Sequence, residues 1–213
     1  MMISKKERET GWLAGPAAGV LFAGSLIVFA AARIDGYSHA TKAVSELGAI
    51  GAPAALAFNL LAFIIPGVLL TYFSLRLETQ SDRKVGPRLL VASSLFLILS
   101  GLAPARLDDY QAWTTVLHII GAMGAGLFWI VALFWTGPLL SRRFALPAWG
   151  RVTPWFGLFM FANIAWQVLF QATGVVSPGW GQRIGFFGYF LWFAVTGLLL
   201  WRRRLSTISS RSV

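Results

Sequence analysis

The side chains able to do chemistry are scarce in this chain, and they gather in a few places. Its only histidines are His39 and His118, and it has no cysteine, which removes disulfides, thiolate ligands and thiol nucleophiles. Four of the eight acids, Asp35, Glu46, Asp108 and Asp109, share the histidines' neighbourhoods. The stretch GYSHATKAVSELGAIGAP (36–53) carries His39, Lys42, Ser45 and Glu46, and RLDDYQAWTTVLH (106–118) carries Asp108, Asp109 and His118. The other acids, Glu7, Glu9, Glu78 and Asp82, are interspersed with Lys and Arg and read as solvated surface.

These groups support three readings. In the first, Glu46, Asn59, Asp109, His118, Gln167 and Arg183 line a polar pocket for a lipid or a small amphipathic, partly anionic ligand. Arg183 is then the cation for the anionic group, and His118, whose reference pKa is near neutrality, is the proton-responsive group. In the second, His118 is general base, Asp109 its orienting carboxylate and Ser45 or a water the nucleophile of an intramembrane hydrolase or transferase. In the third, the protein is a non-catalytic accessory protein and the polar groups only pack. HExxH, GxSxG in triad order, the P-loop and CxxC are all missing from the sequence. A zinc site built from His39, His118 and one carboxylate stays open, although no spacing signals it. Bis-histidine haem is the weakest option, because His39 lies in a connection, and no cofactor is indicated.

The elements that must position these residues are membrane spans. Of 213 residues, 57% are hydrophobic and only 12% charged, where a soluble domain needs about a quarter charged to dress its surface. Six apolar runs can each cross a bilayer, given about 20 residues per helix: about 12–32, 55–75, 89–105, 113–140, 152–173 and 184–201. The first is too long in its apolar core to be a cleavable signal sequence. Pro66 should disturb the second, which a membrane helix tolerates when neighbours satisfy the freed carbonyl. The expected fold is therefore all-α, a single six-helix transmembrane bundle with a flexible tail at 202–213.

The net charge of +10 could suggest nucleic acid, but the basic residues cluster at the ends of apolar runs instead of forming one stripe. Fourteen of the eighteen Lys and Arg fall at the N-terminus, the second and fourth connections and the tail. Only Arg33, Lys42, Arg106 and Arg183 fall on the other side. By the positive-inside rule both termini are cytoplasmic in the plasma membrane. The expected partner is membrane lipid, not nucleic acid, and the histidines then lie on the outer half.

Local patterns refine this. On a helical wheel Ser38, His39, Thr41, Lys42, Ser45 and Glu46 share an arc of roughly 160°, opposite Ala40, Ala43, Val44 and Leu47. That predicts a short amphipathic helix along the outer interface. Asp108 or Asp109 is a natural N-cap for the fourth span, which would carry His118 about 13 Å down the helix. Gln111, Thr114, Thr115 and His118 share one of its sides. Asn163, Gln167 and Gln171 share a side of the fifth, and Gln182 and Arg183 open the sixth. Gly121, Ala122, Ala125 and Gly126 suit close helix packing.

The pattern SELGAIGAPAALAFNLLAFIIPG (45–67), then GLAPARLDD followed by His118, then GQRI before the last span, resembles domain of unknown function family 998. These are multi-spanning membrane proteins of bacteria and archaea. The resemblance implies that Ser45, Leu47, Gly48, Asn59, Gly67, Asp109, His118 and Arg183 occupy family-motif positions, and that His39 does not. It implies no reaction.

Overall fold

A computed structural model describes residues 10–170, Thr173 and 178–209 of the chain. Six helices are long and apolar enough to cross a membrane. They are α1 (Ala14–Ala31), α2 (Ala55–Thr79), α3 (Val85–Leu102), α4 (Trp113–Arg142), α5 (Pro147–Phe170) and α6 (Pro178–Ser209). They form a bundle, and no strand occurs among the described residues. Several helices begin earlier than the apolar runs, because polar residues at the ends continue the backbone ladder. The last helix runs on through Ser209, so the expected tail begins as helix, and 210–213 lie outside the described residues.

Each helix packs on its neighbours in the chain, and α6 closes the ring against α1. Small residues permit the closest approaches. Gly15 and Gly197 leave no room for a methyl between α1 and α6, and Gly121 lies against the backbone of Ser100 between α4 and α3. Gly137 and Gly150 bring α4 and α5 together near their connection. Inside the ring, Ser74, Ser94, Thr136 and Thr196 return their hydroxyls to the carbonyl four residues back in their own helices. A hydroxyl so satisfied is tolerable where water is excluded.

Pro66 leaves its mark before the proline. A π-helical turn over Leu60–Ile64 interrupts α2, and the Ile65 amide reaches back to the Leu60 carbonyl. This is how a helix absorbs a residue that has no N–H to donate.

Two local expectations are corrected. Residues 38–47 do not form one amphipathic helix. A turn closes from Lys42 to Ser38, the backbone becomes extended at Ala43, and a 3₁₀ turn runs over Val44–Gly48. Glu46 Oε1 takes the Ala43 amide at 2.9 Å and Gln182 Oε1 takes the Val44 amide at 2.9 Å, so the helical ladder has no donors there. The sorting of sides survives, since Val44 and Leu47 are buried, but they face the bundle core. The segment is a strap across one end of the ring.

The second correction concerns the start of α4. Asp109 Oδ1 accepts the amides of Gln111 and Ala112 at 2.9 and 3.0 Å in a turn before the helix, which begins only at Trp113. Ala112 is extended there, and Thr115 ties the turn back through Asp109 O and Arg106 N. His118 consequently lies five residues into α4, about 7–8 Å by the helical rise.

Candidate functional site

A cavity of about 230 Å³ opens inside the ring at the end capped by the strap. Its place follows the packing: α4 and α5 meet closely at Gly137 and Gly150, whereas a methyl on Gly126 would meet nothing within 4 Å. Apolar walls come from Phe63, Leu97, Ile130, Met160 and Phe186, among others. Polar groups enter from the strap (Ser45), α3 (Ser100), α4 (His118), α5 (Asn163, Gln167) and α6 (Gln182). No Lys, Arg, Asp or Glu among the described residues lines it. Between Met123 and Ile164 the lining reaches the outer surface of the ring, where Met123 is 55% exposed.

His118 is fixed in one tautomer. Its Nδ1 lies 2.9 Å from the Ser100 carbonyl and 3.2 Å from that of Ala103, and carbonyls only accept, so Nδ1 carries the proton. In the neutral ring Nε2 is then the acceptor, and no hydrogen bond to it occurs among the described residues. Asp109 takes no part, because its carboxylate is occupied by the turn before α4 and is exposed. The orienting group of His118 is a backbone carbonyl.

Two further polar atoms in the lining are buried without a partner, Trp129 Nε1 and Asn163 Oδ1. Their side chains are 1% and 6% exposed. The Asn163 amide is orientated by its own Nδ2, which donates to the Gly181 carbonyl at 3.2 Å, leaving Oδ1 as the unpaired end. The indoles of Trp149 and Trp192 donate to Thr196 and Thr153, whereas the indole of Trp12, outside the cavity, is likewise buried without a partner. Burying a polar group without a partner costs about 1–3 kcal/mol, so an unpaired donor and an unpaired acceptor in one cavity are notable. Sequence reading missed Trp129, whose only advance signal is its place one turn after the glycine at 126.

Tyr189 also lines the cavity, but its hydroxyl is spent elsewhere. Ser93 Oγ donates to the Ala125 carbonyl at 2.7 Å, so the Tyr189 O–H, at 3.0 Å, must donate to Ser93. Glycine shapes the remaining wall. A methyl group built on Gly126 would meet nothing within 4 Å, and one on Gly185 only Met160 and Asn163 at 3.6 Å or more.

Of the residues singled out from sequence, Ser45, His118 and Gln167 converge on this cavity, and Glu46, Asn59, Asp109 and Arg183 do not. Asn59 is buried under the strap, donating to the Gly48 carbonyl at 2.8 Å. Glu46 caps the strap's 3₁₀ turn and pairs with Lys42 at 3.5 Å. Arg183 donates to the Tyr37 hydroxyl at 2.7 Å and to the carbonyls of Lys42 and Gly179 at 2.8 and 2.9 Å. It also reaches His39 Nδ1 at 3.3 Å, so it fastens the strap to α6 and points away from the cavity contents. Gln171 lies outside the described residues.

Outside the spans, the shifted groups at the same capped end include His39, Tyr37 and Asp35. Burial and then the Arg183 charge hold His39 below the ordinary imidazole value. Partial burial raises the Tyr37 phenol, and the guanidinium of Arg33 lowers the Asp35 carboxyl through a hydrogen bond. No three His, Asp or Glu side chains come together among the described residues, so the His39–His118–carboxylate arrangement considered for zinc is not formed.

Six helices long and apolar enough to cross a membrane, packed in one bundle, place the chain in the class of integral membrane proteins. The family model "Protein of unknown function (DUF998)" matches residues 16–199, and the chain belongs to that family. No curated protein and no solved structure matches the chain.

Proposed function

We propose that the protein binds or translocates a lipid or other small amphipathic molecule in the cavity between α3, α4, α5 and α6, in the plasma membrane with both termini cytoplasmic. The observation that carries this reading is the presence of unpaired Trp129 Nε1 and Asn163 Oδ1 inside a mostly apolar cavity that reaches the outer surface of the ring. Ligand sites are commonly apolar concavities with a few convergent polar groups, and roughly 300–1,000 Å³ in size for drug-sized molecules. This one is smaller, which suits part of an amphiphile whose remainder lies between α4 and α5 in the lipid. The asymmetry of basic residues supports the orientation, and with it the cavity opens toward the outer leaflet.

The experiment is extraction of bound small molecules from the protein in lipid nanodiscs, compared with the Gly126→Leu variant. Leucine at that position fills open space in the cavity without meeting a neighbour at its Cβ. The wild-type protein is expected to retain an amphiphile that the folded variant lacks. Identical extracts would remove the basis of the proposal.

One observation favours a second reading as hydrolase or transferase. The Ser100 carbonyl leaves His118 Nε2 as a proton acceptor in a cavity that Ser45 also lines. On that reading Ser45→Ala abolishes ester turnover while ligand retention persists, and Asp109→Asn changes neither.

A further inference from the structure

We infer that the ligand of this cavity is an uncharged amphiphile whose head group both donates and accepts hydrogen bonds at more than one atom, of the class of a polyol monoester on a single hydrocarbon chain. This rests on the reading of the cavity as a ligand site and adds the chemical class. Two buried lining atoms await partners: Trp129 Nε1, which can only donate, and Asn163 Oδ1, which can only accept.

A carboxylate or phosphate would satisfy Trp129 but set its lone pairs against Asn163 Oδ1. An ammonium would satisfy Asn163 Oδ1 and confront the indole N–H. Neither finds a standing counter-charge, because no Lys, Arg, Asp or Glu among the described residues lines the cavity and Arg183 is engaged by the strap. Bringing an ion from water into such walls is strongly unfavourable. Hydroxyl and ester groups serve both kinds of partner without charge.

Because Trp129 Nε1 only donates and Asn163 Oδ1 only accepts, the head group must present an acceptor and a donor at different atoms. The hydrocarbon chain follows from the apolar remainder of the lining and from the gap beside Met123, Gly126 and Ile164, which reaches the outer surface of the ring.

The test uses full-length protein in phosphatidylcholine nanodiscs with three probes sharing a twelve-carbon chain: 1-monolauroylglycerol, laurate and laurylamine. Retained probe is quantified by mass spectrometry after the discs are washed. Monolauroylglycerol is expected to be retained at least about tenfold over either ion. Trp129→Phe, which keeps the ring and removes the N–H, is expected to lower that retention about threefold to tenfold. Gly126→Leu is expected to abolish it. Equal retention of the three probes, or preference for laurate, with Gly126→Leu still blocking, overturns the head-group inference and leaves the cavity as a ligand site. Retention untouched by Gly126→Leu overturns both.

Discussion

Arg183 at the start of α6 donates to the hydroxyl of Tyr37, 146 positions earlier in the chain, at 2.7 Å. Its other donors take the carbonyls of Lys42 and Gly179, and Nε takes His39 Nδ1. One planar guanidinium thus fastens the strap that closes the cavity's end. Arg183→Ala is expected to raise amide exchange across 37–48 and to cost about 1–2 kcal/mol, the range for partly exposed charge-assisted hydrogen bonds. Arg183→Lys should recover only part, since an ammonium cannot reproduce the fork. Unchanged exchange in both variants would show that the strap is held by its buried residues Val44 and Leu47 alone.

The same strap carries a pH dependence. His39 is held below its ordinary value, first by burial and then by the Arg183 charge. A proton therefore binds the unfolded strap more readily than the folded one, and the stability gained from neutral His39 is complete above the ordinary imidazole pKa of about 6.5. It is lost as pH falls through the lower, folded value. The groups around His39 are Arg183, the Tyr37 ring at 5.7 Å and, on the same segment, the Lys42–Glu46 pair. Exchange protection of 37–48, corrected for intrinsic rates, is expected to fall between about pH 7.5 and pH 5 in the wild type. In His39→Phe it should stay level. A wild-type profile as flat as the variant's would discard the mechanism.

What was legible in the sequence follows from what membrane helices require. Each span announces itself by its length of apolar residues, because the backbone must be satisfied internally over the whole thickness of hydrocarbon. The arrangement of the spans is a different matter. Val20 and Val28 on α1 face outward, whereas Ala18 and Phe22 face the core, and both sets are apolar. With no polar side to mark, the cavity lined by α4 and α5 leaves no periodic trace. His118 stood out because an ionisable group inside a span must face protein or a polar cavity. Trp129 did not, because its chemistry lies in a hydrogen bond that is not made.

The connections show the opposite error. On the strap, the wheel assigned Val44 and Leu47 to the buried side correctly, yet the helix fails at Ala43. The Val44 amide is claimed by Gln182, which lies 138 residues away, and a local reading has no access to it. At Asp109 the residue type was right for a cap, but it lies four residues before the helix begins and its carboxylate closes a separate turn. Arg183 was selected as a free cation near the outer surface, and three backbone and side-chain oxygens of the fold now account for its charge.

Two glycines that look alike in the sequence separate packing from function. Gly121 and Gly126 both belong to the small-residue stripe of α4. A methyl on Gly121 would stand 2.5 Å from the backbone nitrogen of Ser100 and 2.8 Å from its Cα, and neither backbone atom can yield without moving α3. Gly121→Ala is expected to destabilise the bundle by about 1–3 kcal/mol through overpacking. That shift would also drag the Ser100 carbonyl off His118 Nδ1. Gly126→Ala, five residues on, meets nothing within 4 Å and should gain up to about 1 kcal/mol from helix propensity. Thermal midpoints of the two variants in the same nanodiscs are expected to move in opposite directions. If both fall alike, then α4 and α5 close against each other at Gly126, and the cavity described there does not exist in the membrane.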